Sequence, residues 1–311
     1  MSGIGVISNP MSGKNRRNPQ LVKRLAYILG ERGELALPEG LDRLEAEVRV
    51  FHERQIDVLC INGGDGTIHQ VMTALYKVYG DHTPFPQIAL LQGGTMNTIA
   101  RNVGLRTGPE DMLGRVASRY HAGAPLSTTQ RRLMVINDTK AGFIFANAGI
   151  ANFLEEYYAG GDSSPWKAVR VLARSILSVL TGTQYAAEMF RMVGMEITVD
   201  GVRLSHGQFS AVGVSTVADL GFGFRAFYQV YSHPQHLHLI GVAEPVWGLT
   251  MSLLRIWMAR PMNRPHTEDH VARAVRLEAA EPVAYTIDGD MYPGEQSMTF
   301  RAGPAVTFIT G

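Results

Sequence analysis

Ile56-Asp57-Val58-Leu59-Cys60-Ile61-Asn62-Gly63-Gly64-Asp65-Gly66-Thr67-Ile68-His69-Gln70-Val71-Met72-Thr73-Ala74-Leu75 is the stretch on which the fold turns. Ile56 to Ile61 is a short, apolar run rich in β-branched residues, the pattern of a strand buried on both faces. Asn62 to Gly66 is a turn. From Thr67 onward Ile68, Val71, Met72 and Leu75 fall on one face of a helix. Strand, tight turn and helix in direct succession predict a βαβ unit in a parallel sheet.

The same unit appears on either side. Upstream, Ile4-Gly5-Val6-Ile7 reads as a strand and Asn9 to Lys14 as a polar turn. Asn18-Pro19 then caps a helix whose buried face is Leu21, Val22, Leu25, Ile28 and Leu29. Downstream, Ile88-Ala89-Leu90-Leu91 is a strand, Gly93-Gly94 a turn, and Thr95 to Arg101 a short helix. From about residue 129 strands alternate and turns of hairpin type take over, as at Asp200-Gly201. Val275 to Glu278 and Met298 to Arg301 alternate in the same way, and helical patterns cover Pro165 to Leu180 and Trp247 to Arg260. The expected organisation is an α/β domain over residues 1–128 and a β-rich domain over 129–303, with a final strand at about 304–311 returning to the first domain.

Composition bounds the function. In 311 residues, 29 Lys and Arg against 28 Asp and Glu leave a net charge of +1 and no global field for a polyanion, so nucleic acid is not an expected partner. The single cysteine, Cys60, lies in an apolar strand and is expected to be a buried thiol, with no disulfide framework or cysteine-rich metal site. Met1-Ser2-Gly3-Ile4-Gly5 lacks the basic and apolar regions of a signal peptide, and no segment is apolar enough to span a bilayer. The expected place is the cytoplasm.

Chemistry concentrates at the turns. Gly63, Gly64 and Gly66 let the backbone approach an anion, and the following helix start offers free amides and a positive dipole end. Phosphate fits such a place, although Gly-Gly-Asp-Gly also serves as a plain tight turn. Asp65 beside a phosphate would be repulsive unless it binds or positions a metal, which points to a Mg²⁺-nucleotide. Gly93-Gly94-Thr95-Met96-Asn97 occupies the same place after the next strand. Asn9, Ser12, Gly13 and Lys14 form a third rim with amide, hydroxyl and ammonium donors. No P-loop or dinucleotide-binding glycine pattern is present at these turns.

The three motifs in this order resemble the diacylglycerol kinase catalytic-domain family, which includes sphingosine and ceramide kinases and bacterial lipid kinases. The resemblance is strong over about the first 105 residues and looser beyond. It implies an N-terminal α/β domain with a parallel sheet like that of phosphofructokinases and NAD kinases, a C-terminal antiparallel β-sandwich, and an active site in the cleft between them. It also implies ATP and Mg²⁺, with Asn9, Ser12, Gly64, Gly66, Thr67, Gly94, Thr95 and Asn97 near the nucleotide and Asp65 essential. The family's late Asp-Gly-Glu motif, whose acids are thought to activate the lipid hydroxyl, has its counterpart here in Asp288-Gly289-Asp290. Asp replaces Glu, one methylene shorter, and Asp288-Gly289 is equally a favoured hairpin turn.

Bacterial members often carry a stretch in the second domain that contributes to an additional Mg²⁺ site. The comparable region, Gly221-Phe222-Gly223-Phe224-Arg225 to His236-Leu237-His238, lacks its Asp-Gly, so that metal is not expected. The reading that follows is transfer of the ATP γ-phosphate to a lipid hydroxyl, such as that of a diacylglycerol or sphingoid base, at the inner membrane face. The rivals are a kinase for a soluble substrate, as in NAD kinases, and a silent nucleotide- or lipid-binding protein. Two helices carry the membrane question. Val169, Leu172, Ala173, Ile176, Leu177 and Leu180, and likewise Trp247, Leu249, Leu253, Leu254, Trp257 and Met258, either pack on a sheet, the favoured reading, or meet a bilayer.

Overall fold

A computed structural model describes residues 3–30, 33–159, 165–221 and 223–310. It divides into two compact units, Met1–Leu133 with Thr139–Ala141 and Gly303–Gly311, and Met134–Asp138 with Gly142–Ala302.

In the first unit the elements run β1 (Ile4–Ser8), α1 (Gly13–Arg17), α2 (Gln20–Leu29), β2 (Gly33–Ala36), α3 (Leu41–Glu53), β3 (Val58–Asn62), α4 (Asp65–Tyr79), β4 (Gln87–Leu90), α5 (Thr98–Asn102) and α6 (Pro109–His121). The strands are parallel in the order β2-β1-β3-β4. The end of the chain adds a further parallel strand, with Phe308 opposite Ile88. β1 and β3 are buried throughout, as a sheet covered on both faces requires. Cys60 has no exposed surface, and burial pushes its thiol pKa up to about 12.

Boundaries shift in three informative places. α1 begins inside the stretch read as a polar turn. α4 starts at Asp65, two residues before Thr67, which puts that carboxylate in the first helical turn. The helix expected from Thr95 begins only at Thr98, because Asn97 adopts a left-handed conformation at φ 49°.

The second unit is antiparallel. After β5 (Thr128–Ile136) and β6 (Lys140–Gly142), which bridge the two units in sequence, come β7 (Ile144–Ala148), α7 (Gly149–Tyr158), α8 (Pro165–Thr181), α9 (Gln184–Met189), β8 (Val193–Val199), β9 (Val202–Arg203), β10 (Gln208–Phe209) and β11 (Ala211–Ser215). β12 (Leu237–Val242), α10 (Val246–Trp257), β13 (Thr267–Ala272), β14 (Ala274–Ile287) and β15 (Asp290–Ile309) complete it. The strands order as β13-β12-β11-β7-β14-β15. β14 pairs with β7 at one end and β8 at the other, with register shifts between them. That bend lets one long strand close a single core, filled by Phe145, Phe209, Val214, Leu239, Leu277, Tyr285 and Phe300. The architecture is the α/β unit plus β-rich antiparallel unit expected from the sequence.

His69 in α4 gives this fold a pH signature. It is 1 % exposed, its Nδ1 lies 2.9 Å from the Ala141 carbonyl, and burial lowers its pKa to about 4. The folded state therefore holds it neutral, while the unfolded chain protonates near the ordinary value. Its contribution is whole above the unfolded pKa of 6.5 and is lost as pH falls toward 4. Urea titrations at pH 7, 6 and 5 should show wild type losing up to about 1.4 kcal/mol per pH unit relative to His69→Gln. Parallel losses in both proteins would refute a buried neutral histidine.

Candidate functional site

The three turns emerge at the C-terminal ends of β1, β3 and β4, which are neighbours in the sheet. In parallel α/β sheets that edge is where ligands bind. The turns are laced together by named bonds. The Asn9 amide nitrogen donates to the Asn62 carbonyl at 2.9 Å, and its side-chain Nδ2 to Thr67 Oγ1 at 3.0 Å. Ser12 Oγ donates to the Asn9 carbonyl at 3.0 Å and to the Gly93 carbonyl at 3.3 Å, and the Lys14 amide donates to Gly93 at 2.9 Å. Asn97 bonds Gly94 in both directions, accepting from its amide at 3.2 Å and donating to its carbonyl at 3.1 Å.

The glycines have a tighter reason than ligand approach alone. A Cβ on Gly94 would stand 2.3 Å from the Gly64 Cα, and one on Gly64 would stand 3.3 Å from the Gly94 Cα. The two turns meet backbone to backbone, where no side chain can move aside. A Cβ on Gly63 would strike Thr67, one on Gly93 the Asn62 side chain, and one on Gly13 the Thr95 hydroxyl at 2.5 Å. Gly66 lies in the first turn of α4.

Asp65 has a different first duty from the metal role expected of it. Its Oδ2 accepts the Thr98 amide and its Oδ1 the Ile99 amide, both at 2.9 Å, so it caps the helix that follows the second glycine turn. Burial raises its pKa, against those two amides and the Arg101 guanidinium, which favour the charged form. Two residues of this network escaped the sequence reading. Asn15 is 1 % exposed and its Nδ2 donates to Asn9, Ser12 and Asn62. Asn62, fully buried, donates to Ser8 Oγ at 2.8 Å. An asparagine ending an otherwise apolar strand was the available signal.

A phosphate fits this edge on one structural ground. The N-cap of α4 is Gly64, which supplies no side-chain acceptor to the first-turn amides, and Gly64, Asp65 and Gly66 are all partly accessible. Lys14 is exposed on α1. Among the described residues no group of three or more His, Cys, Asp or Glu is placed to hold a metal.

In the second unit Asp288 and Gly289 form a two-residue hairpin turn, both at positive φ, between paired Ile287 and Asp290. Asp288 is 5 % exposed, and its carboxylate accepts the Phe143 and Ile144 amides, Oδ1 at 2.8 Å from the latter. It anchors the turn to the start of β7. Asp290 opens β15 and is partly accessible. Two residues along, Tyr292 stacks on Tyr285 at 5.1 Å, and burial together with the Asp290 and Asp288 charges pushes its pKa up to about 12. The Tyr158 hydroxyl would lie 3.1 Å from a Cβ on Gly289. His236 precedes β12, while His238 is buried on it with Nε2 2.8 Å from Asp269 Oδ1. Phe222 lies outside the described residues.

Together these units and turns define a diacylglycerol-kinase-like fold. Residues 3–125 match the family model described as the diacylglycerol kinase catalytic domain. A protein of Escherichia fergusonii described as "Probable lipid kinase YegS" is 26% identical over 135 residues, 43% of this chain and 44% of that protein, so the match spans less than half of either. A crystal structure of a diacylglycerol kinase from Bacillus anthracis superposes with a TM-score of 0.66 at 14% identity, over 99% of this chain and 97% of its own. A second structure from that organism gives 0.73 at 16% identity over the same shares. At these identities the structures establish the fold.

Two substitutions test the lacing. Asp65→Asn replaces one acceptor by a donor facing an amide, and Gly94→Ala drives a methyl into backbone; each should cost about 1–3 kcal/mol by urea denaturation. Gly114→Ala, a helical glycine with open space around its Cβ position, should be neutral or stabilising. Unchanged midpoints for the first two would show that the turns are not joined as described.

Proposed function

We propose that this protein transfers the γ-phosphoryl group of ATP to the hydroxyl of a membrane lipid. The observation that carries the reading is the backbone contact between Gly64 and Gly94, which sets two glycine turns side by side at the uncapped start of α4. The match of this same segment to the diacylglycerol kinase catalytic domain supports it.

In such a transfer the lipid oxygen attacks the γ-phosphorus, the bond to the β-phosphate bridging oxygen breaks, and ADP leaves. The hydroxyl proton must go to a base. Asp290 is the better acceptor of the two late carboxylates, because Asp288 is buried and engaged with the amides of residues 143 and 144. Gly64, Gly66 and Thr67 at the start of α4 would hold phosphate oxygens through backbone amides, with Thr95 beside them and Gly94 and Asn97 bonded to each other to shape the second turn. Ser12, Gly13 and Lys14 would close the rim, with Lys14 adding charge. Mg²⁺ carried by the nucleotide would neutralise charge on the phosphates. Asp65 acts as a positioning residue: by holding the amides of Thr98 and Ile99 it fixes the second turn against the first.

Transfer of labelled γ-phosphate from ATP·Mg²⁺ should label one lipid of a mixed-micelle panel of diacylglycerol, sphingosine, ceramide and phosphatidylglycerol. Asp290→Asn should lower that rate by about 10²–10⁴-fold with little change in stability. Label in NAD or glycerol, added as soluble controls, or in no acceptor, would overturn the reading.

A further inference from the structure

Helices α8 and α10 of the second unit are amphipathic the wrong way round. The side chains α8 buries are Ala168, Val171, Ser175 and Ser178, each at most 5 % exposed, while Trp166, Val169, Leu177 and Leu180 stand 80, 52, 60 and 68 % exposed. This corrects the expectation that Val169, Leu177 and Leu180 pack on a sheet. α10 repeats the inversion: Gly248, Ser252 and Ile256 face inward, and Trp247, Met251, Leu254 and Trp257 are each more than half exposed. The two helices pack against each other. Small residues on the inner faces let both lie close to the body of the unit, at the cost of turning their large side chains outward.

Every tryptophan of the chain is on one of these two helices, since the sequence holds three and Trp166, Trp247 and Trp257 are all exposed. Scattered exposed apolar residues are ordinary, but eight large ones on two helices that pack against each other mark an interaction site. Charge selects the occupant. Residues 165–181 and 246–260 contain Lys167, Arg170, Arg174, Arg255 and Arg260 and no acidic residue. Arg174 lies over the Tyr185 ring and 3.8 Å from Glu156, and Arg255 donates to the Pro261 carbonyl, while Arg170 and Arg260 are exposed. A second copy of the chain would oppose cations to cations. A bilayer with anionic headgroups offers acyl chains to the leucines, interfacial depth to the indoles and phosphates to the arginines. Among the described residues no helix is long and apolar enough to cross a membrane, so contact would lie in the plane of the surface.

We infer that the joint outer face of α8 and α10 docks the protein on anionic lipid bilayers. Docking needs no turnover, so it stands or falls separately from the transfer reaction.

Sedimentation with vesicles of phosphatidylcholine plus phosphatidylglycerol tests it directly, with tryptophan emission as a second readout because all three indoles report from the face. Wild type should bind, shift its emission to the blue, and bind vesicles of phosphatidylcholine alone more weakly. Leu177→Glu/Leu254→Glu changes only exposed positions and should weaken binding roughly a hundredfold without lowering the melting temperature. Arg170→Gln/Arg260→Gln should retain the fold and lose about tenfold, chiefly toward anionic vesicles. No binding by wild type, or equal binding by the double glutamate variant, overturns the inference. Self-association in solution that the glutamate variant disperses would assign the face to a second copy instead.

Discussion

The contact between Gly64 and Gly94 is the constraint on which the first unit depends. Two loops that leave adjacent parallel strands meet at their Cα atoms, with no room for a Cβ on Gly94 and little for one on Gly64. The Asp65 carboxylate then ties the loops electrostatically by accepting the two amides that open α5. Asn9, Ser12 and Asn15 draw the loop after β1 into the same lattice. A surface built this way is pre-organised, and pre-organised amides at a helix start are what phosphate binding demands.

The second unit uses the same device with different parts. Asp288 sits at left-handed φ in a two-residue turn and spends its carboxylate on the amides that start β7. In both units, then, a carboxylate of a glycine-containing turn holds backbone in place. Asp290, at the start of β15, is partly accessible.

Much of the first unit was readable because the physics is local. The strand ending in Asn62, the glycine turn and the helix beyond follow one another without interruption, and the three motifs announce themselves by composition. The Asp65 cap was not readable, since its partners Thr98 and Ile99 are more than thirty residues away in sequence. Nor was the role of Asn15, whose Nδ2 joins Asn9 and Ser12 of its own stretch to the Asn62 carbonyl, brought to it from the end of β3 by the fold alone. In the second unit the helices over 165–181 and 246–257 were placed correctly by period, yet their inner faces were misjudged. Periodicity finds an apolar stripe but assumes that it faces inward; serine, glycine and alanine opposite it tell which way these two helices turn.

Amide chemical-shift mapping of the ¹⁵N-labelled full chain against a non-hydrolysable ATP analogue with Mg²⁺ tests the central claim most directly. The account predicts saturable shifts concentrated at residues 64–67 and 93–97, with smaller ones at 12–14. Saturable binding that leaves those amides unmoved, or no binding at all, would contradict a phosphate cradle made from the joined glycine turns.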